Sequence, residues 1–207
     1  MWGVLADRRG DARPFGVAAL LSGAALLVAL TFTTTPLVAV VVFGMYGLLC
    51  GPASSIIDGM VITALPDKTR YGRWRAWGTI GFGVTALASS LLIDRAVLSP
   101  VPHTLFPLCA VLTGTAGVAI VFVPRLARPS LARVRDVWPL LRRGDMLALF
   151  FTSMILWCSH AAYSSFLTPL ARDVGLPQWC VGASIAAAIT VEAVMLREAG
   201  FFVARFG

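Results

Sequence analysis

Six apolar runs of about twenty residues constrain the fold of this 207-residue chain more than any other feature. A bilayer core of ~30 Å takes about 20 helical residues at 1.5 Å each. The runs cover residues 15–33, 37–64, 76–95, 104–124, 146–168 and 179–203. They predict an all-α integral membrane protein with about six transmembrane helices. A transmembrane barrel would instead show alternating segments of about 10 residues.

Composition agrees with a membrane location, because only 13 % of the residues are charged, against about 25 % in soluble domains. The net charge of +7 does not predict a nucleic-acid partner, since the basic residues form short clusters between the apolar runs, as topology signals do. The cysteines contain no CxxC pair, so they indicate neither a disulfide framework nor a zinc site. We expect no cofactor and no other metal site. They are Cys50, Cys109, Cys158 and Cys180.

The distribution of basic residues predicts the topology. Fourteen of the 17 Lys and Arg residues lie in alternate connections, including residues 8–13, 68–75 and 125–143. The positive-inside rule then places both chain termini in the cytoplasm of a multi-pass cell (plasma or inner) membrane protein. In the stretch YGRWRAWGTIGFG, residues 71–83, Arg73 and the tryptophans are expected to anchor the helix at the membrane interface.

Glycines recur at helical spacing within two of the runs. Small residues let membrane helices approach closely, so these positions predict either static close packing or a moving interface. They are Gly44, Gly47 and Gly51 in one run, and Gly78 and Gly81 in another.

Asp58 and Arg75 are charged residues on either side of a predicted hairpin. A turn at Pro66 and Asp67 would place them at the same depth on antiparallel helices. A charge within a span costs roughly 2.5–3.5 kcal/mol unless it is paired or faces water, and the guanidinium fork of arginine suits a carboxylate partner. The pair either pins two helices together or lines a cavity and exchanges its partner for substrate.

Two further spans carry polar residues near mid-depth. Glu192 is a lone carboxylate, for which burial favours the protonated form; it is either a proton carrier or a packing and hydrogen-bonding residue. His160, Tyr163 and Phe166 recur every three residues and share one helical face. They predict either a histidine hydrogen-bonded to a neighbouring helix or a cavity wall for an aromatic or sugar-like substrate.

Several motifs resemble those of the major facilitator superfamily. GVLADRRG, residues 3–10, with Arg13 after it, is similar to the loop pattern G-x-L-a-D-r-x-G-r-r between the second and third helices. Pro52 and Asp58 followed by residues 71–82 resemble the P…D…YGxxRxWGSxGF signature of one branch. That branch holds phenylpropionate-permease-like and nucleoside:proton-symporter-like proteins, distantly similar to lactose permease. Residues 159–166 resemble its seventh helix, and Glu192 with residues 204–207 resembles the end of its eighth.

The resemblance runs over essentially the whole chain and implies a twelve-helix transporter of two six-helix bundles. Residues 1–124 then form the remainder of the N-terminal bundle, from the end of helix two to helix six. Residues 125–144 form the cytoplasmic central loop, and residues 145–207 start the C-terminal bundle with helices seven and eight. This partial major facilitator fold predicts a fragment, a mis-called gene or a truncated product, whose expected partners include the missing helices.

The resemblance also implies residue roles. It implies substrate recognition by Asp58 and Arg75 and a proton-carrying role for Glu192. Together with the possible cavity wall of His160, Tyr163 and Phe166, these residues form the predicted substrate- and proton-binding set. A gating role falls on Gly3, Asp7, Arg8 and Gly10, where the glycines allow a tight loop. Arg197 and Glu198 depart from the apolar pattern of helix eight. They either snorkel, pair with neighbours, line a polar cavity, or indicate a sequence no longer selected for transport.

The predicted function is a secondary active transporter that couples a small organic substrate to protons by alternating access. An enzyme is not expected, since the spans contain no nucleophile–base pair or metal-spaced cluster. The alternative is a truncated membrane protein that does not transport, either a fragment or pseudogene product or a partner-binding scaffold.

Overall fold

A computed structural model describes residues 6, 9–67, 70–94, 101–125 and 142–206. These ranges contain seven helices and no strand. The helices are α1 (Arg13–Thr31), α2 (Pro36–Cys50), α3 (Ala53–Ala64), α4 (Tyr71–Asp94), α5 (Val101–Val121), α6 (Gly144–Asp173) and α7 (Gln178–Phe206).

Six stretches of the described chain are long and apolar enough to cross a membrane, which confirms the predicted all-α class and number of spans. Helices α2 and α3 together form one of them, Pro36–Ala64. The break between them falls at Gly51 and Pro52. Proline has no N–H to donate within a helix, and a Cβ on Gly51 would collide with the carbonyl oxygen of Gly47.

Two helices are longer than their apolar runs indicate. Helix α4 begins at Tyr71, so Arg73, Trp74 and Arg75 are already helical. Helix α6 continues through Pro169 to Asp173. Two residues after this end, Gly175 turns the chain away from the helix with a φ of 75°, a conformation that glycine adopts without strain.

The main buried cluster of the described residues forms around α1, which packs along α5 and also contacts α2 and α3. Small side chains allow this approach, because a Cβ on Gly16 would lie 3.1 Å from the Ile120 side chain. The cluster comprises Ala6, Ala12, Ala19, Leu20, Ala53, Ile56, Met60 and Ile120.

A second close contact joins α4 to α7. A Cβ added to Gly83 would lie 2.7 Å from Ile189 Cγ2, and one added to Gly182 would lie 2.6 Å from Ser90 Oγ. The two helices therefore meet at glycines where no larger residue fits. Helix α6 packs against α7, yet no residue in the most apolar 18-residue stretch of α6 is buried.

The predicted glycine contacts are wrong at Gly44, Gly47, Gly78 and Gly81. No described atom outside the local helix lies within 4 Å of a Cβ built at any of these positions. Their faces of α2 and α4 point away from the neighbouring helices. Periodicity identified glycines at helical spacing, but it could not show which face of each helix meets a neighbour.

Candidate functional site

The predicted ion pair between Asp58 and Arg75 is confirmed. Nη1 of Arg75, on α4, donates a hydrogen bond to Oδ2 of Asp58, on α3. The Arg75 side chain is 43 % exposed and the Asp58 side chain is 32 % exposed. The contact uses one guanidinium nitrogen, so it is not the two-pronged grip that arginine can give a carboxylate. The antiparallel hairpin brings the two residues to one level, as their sequence positions indicated.

Tyr71 is a third member of this site. Arg75 Nη1 also donates to the Tyr71 hydroxyl oxygen at 3.2 Å. The two residues are four positions apart and therefore lie on one face of α4. Sequence reasoning placed Tyr71 in a motif without assigning it a contact, although this spacing could have identified it. Among the described residues, the other guanidinium nitrogens of Arg75 have no hydrogen-bond partner, so the site retains free donors.

Glu192 is exposed on α7, and no hydrogen bond or ion pair holds it within the described chain. The contacts of Gly83 with Ile189 and of Ser90 with Gly182 fix an antiparallel register for α4 and α7. That register places Glu192 about one and a half turns from the level of Arg75. At about 100° per residue, both side chains fall on the same side of the α4–α7 contact.

The structure does not bring the predicted aromatic stripe to the ion pair. His160 is exposed, as are Tyr163 and Phe166, at 51 % and 70 %. The His160 ring meets the Trp157 ring edge-on, with centroids 5.8 Å apart. Within the described ranges, no hydrogen bond or ring contact links the stripe to Asp58 and Arg75. The side-chain hydrogen bond expected for His160 is likewise not found there.

The loop to which the sequence analysis assigned a gating role is described in part. Gly10 has a φ of 67°, so the expected tight loop geometry is confirmed at that residue. Gly3, Asp7 and Arg8 lie outside the described residues.

An ion pair that the sequence analysis did not predict lies next to this loop, at the start of α1. Arg13 binds Asp11 through Nη2 at 2.8 Å and through Nε at 3.0 Å. Arg13 Nη1 also donates to the backbone oxygen of Val123 at 3.1 Å, which ties α1 to the end of α5. The hydrogen bond from Arg13 lowers the pKa of Asp11 from 3.8 to about 2. The Asp-x-Arg spacing was the available signal.

A cleft of about 840 Å³ lies between α4 and α7, on the side away from Arg75 and Glu192, neither of which lines it. Arg197 lines this cleft, which is one of the roles left open for it. Its Nε is 3.8 Å from Oε1 of Glu198, at the limit of an ion pair, and both side chains are more than half exposed. The cleft is lined by Arg73, Ala76, Trp77, Ile80, Gly83, Val84, Leu87, Ala186, Ile189, Thr190, Ala193, Val194 and Arg197.

Comparison with known proteins gives one finding. A model of the MFS_1 like family matches the chain over residues 1–207. Neither the curated proteins nor the solved structures contain a match. The family evidence therefore covers the whole chain, including both helices of the ion pair and both helices of the cleft.

Proposed function

The chain belongs to the MFS_1 like family, a branch of the major facilitator type, and on that premise we propose that it is a secondary active transporter. Family membership points to a transporter rather than an enzyme. We propose further that a small organic substrate moves together with protons by alternating access. The observation that carries this proposal is the partly exposed Asp58–Arg75 pair within two membrane-spanning helices.

The exposure of the pair favours a binding role over a purely structural one. An ion pair that only pins two helices is best shielded, since water and competing ligands weaken it. Here Arg75 keeps unused N–H donors and shares one nitrogen between Asp58 and Tyr71. Those donors belong to a side chain that is 43 % exposed, so a carboxylate or hydroxyl group of a substrate can reach them. The substrate class that fits is a small molecule with oxygen acceptors.

Glu192 is the proposed proton carrier. It stands on α7, the helix that packs against the helix of Arg75, and no described group pairs with it. Carboxylates within spans are the side chains that pumps and transporters use to relay protons. Glu192→Gln should abolish accumulation driven by a proton gradient while substrate exchange between equal concentrations continues. Normal proton-driven accumulation by this variant would exclude Glu192 from the coupling.

The aromatic stripe of His160, Tyr163 and Phe166 is proposed as a wall of the substrate pathway on α6. Gly3, Asp7, Arg8 and Gly10 are proposed as the gating loop at the cytoplasmic face. The gating proposal requires the N-terminus in the cytoplasm. The proposed division is residues 1–124 and 145–207 as parts of two helix bundles, with residues 125–144 as a cytoplasmic loop between them. A reporter fused after Arg135 should remain inside the cell, and its appearance outside would overturn the topology.

The transport proposal is tested by reconstituting the chain in vesicles and imposing a proton gradient. Aromatic acids, nucleosides and sugars form the substrate screen. Arg75→Lys should lower uptake roughly tenfold or more, because the single nitrogen of lysine would be occupied by Asp58 and Tyr71 and lysine has no planar guanidinium fork left for the substrate. Arg70→Lys is the matched control, since Arg70 is exposed and pairs only weakly with Asp67 at 3.4 Å. Unchanged uptake by Arg75→Lys would refute the assigned role.

A second candidate is a membrane protein that does not transport. It is favoured by the uncovered helices of the described chain, since no residue of α2 and only Ala171 of α6 is buried. Such faces require lipid, further helices or a partner protein. Absence of uptake for every screened compound, together with a transcript that encodes no further helices in frame, would favour this candidate over transport.

A further inference from the structure

The cleft between α4 and α7 has a charged end and an apolar length. Arg73 lies near the start of α4, and Arg197 lies in the last third of α7. The register set by Gly83 and Ile189 places these two residues within one turn of each other along the helix pair. Two guanidinium groups therefore flank one end of a single groove.

The positive charge at this end is not neutralised within the groove. No carboxylate lines the cleft, and Arg73 has no ion pair in the described part of the chain. Glu198 approaches Arg197 only at 3.8 Å and from outside the cleft. Trp77 and Thr190 are the remaining polar lining residues, and Trp77 is 71 % exposed. This end of the groove suits an anionic group beside an aromatic ring.

Beyond the arginines, the groove is apolar. Small residues make its floor, including Ala76, Gly83 and Ala193, and branched residues such as Val84 and Val194 stand at its edges. From Arg73 to Leu87 the groove runs along about 21 Å of helix, compared with about 15 Å for half of a bilayer core. Its length therefore accommodates one acyl chain within one leaflet.

We propose that this cleft binds an anionic phospholipid, with its phosphate on Arg73 and Arg197 and one acyl chain along the groove. Basic pockets between transmembrane helices hold acidic lipid headgroups at the cytoplasmic side, where the proposed topology places this end. The groove opens on the opposite side of the α4–α7 contact from Arg75 and Glu192, so it is separate from the proposed transport site. Lipid binding is measurable without uptake, and the proposal does not depend on transport activity.

The test is native mass spectrometry of the detergent-purified chain titrated with dioctanoyl phosphatidylglycerol. Arg73→Gln and Arg197→Gln should each raise the Kd about fivefold, the effect expected for one basic residue at an anionic lipid. Arg70→Gln removes one positive charge near the same end of the helix pair, but Arg70 does not line the cleft. The Kd of the Arg70→Gln variant for the lipid should therefore equal that of the unsubstituted chain. An equal loss in Arg70→Gln would show general charge attraction and overturn the proposal.

A second pair of variants tests the groove itself. Val194→Trp should fill the apolar groove and weaken binding, whereas Val191→Trp, at a similarly exposed position outside the cleft, should not. Both positions are more than half exposed, so folding should survive, and the helical circular dichroism signal checks it. Binding that is indifferent to Val194→Trp would contradict a lipid in this groove.

Two ligand controls separate the sources of the anion. Dioctanoyl phosphatidylcholine has the same phosphate but offsets its charge with a choline cation, so it should bind more weakly than the acidic lipid and depend less on Arg73 and Arg197. Glycerol phosphate should not compete at the concentrations at which the lipid binds. Effective competition by glycerol phosphate would mean a site for soluble anions, and equal binding of both lipids would mean an apolar groove without headgroup selection. Either result would overturn the proposal.

Discussion

The α1–α5 region and the α4–α7 pair each bring membrane helices into close contact, but they do so with different side chains. Around α1, small and branched side chains interlock into a buried cluster that also takes in α3. Between α4 and α7, the backbones approach at Gly83 and Gly182, and both flanks of the contact stay open. Charged residues within spans concentrate beside the second contact. The contacts of the α1–α5 region thus bury mainly apolar side chains, whereas the α4–α7 contact leaves polar side chains accessible.

Membrane physics explains why both regions rely on small residues. Lipid tails are as apolar as leucine, so burial from lipid gives little gain and close van der Waals contact has to hold the helices together. Alanines and glycines of α1 meet α5, while single glycines carry the α4–α7 contact. A contact that depends on a few glycines is more sensitive to one substitution than a broad cluster is.

The largest stability effect is expected for Gly182→Leu. The new side chain would start 2.6 Å from Ser90 Cβ and 2.9 Å from the backbone oxygen of Ala86, so α4 and α7 would have to separate. Overpacking of this kind costs about 3 kcal/mol. The measurement is the thermal midpoint in detergent, compared with Gly78→Leu, which meets open space on α4. Equal midpoints for the two variants would show that the α4–α7 contact contributes no stability.

A smaller loss of stability is expected when the Asp11–Arg13 ion pair at the start of α1 is removed. Asp11→Asn should cost about 1 kcal/mol near neutral pH, the upper end for an ion pair at a surface. Because the folded pKa of Asp11 is lowered to about 2, the contribution is present above about pH 4 and disappears as the pH falls towards 2. Denaturation midpoints of the two proteins should therefore converge at low pH. A gap that persists at pH 2 would contradict the ionic origin of the effect.

The sequence predicted the helices better than it predicted their neighbours. The length of the apolar runs gave the six spans, because bilayer thickness sets helix length whatever the partners are. The Asp58–Arg75 contact was predictable for a related reason, since a short hairpin leaves one register. By contrast, Gly44 and Gly78 were expected at contacts and meet no other helix in the described part of the chain, because the choice of helix face depends on distant parts of the sequence.

The candidate site also has one part that local sequence spacing could predict and one part that it could not. Tyr71 joins Arg75 through local helical spacing, so the printed sequence contained the information. The cleft on the far side of α4 needs residues more than a hundred positions apart, such as Arg73 and Arg197, and no local pattern pairs them. The substrate roles of Asp58, Arg75 and Glu192 stay predictions that transport measurements have to test.

The most direct test of the central claim measures stability and proton-driven uptake on Asp58→Asn and on the double variant Asp58→Asn/Arg75→Gln. The single variant leaves Arg75 without its ion-pair partner within a span and should lower the thermal midpoint. The loss should be smaller than the roughly 2.5–3.5 kcal/mol of a lipid-buried charge, because the side chain is 43 % exposed and keeps its bond to Tyr71. The double variant removes that charge and should recover most of the stability, while uptake stays absent because the substrate has lost its arginine. Recovery of uptake together with stability would show that the pair only holds α3 and α4 together, and would contradict the account.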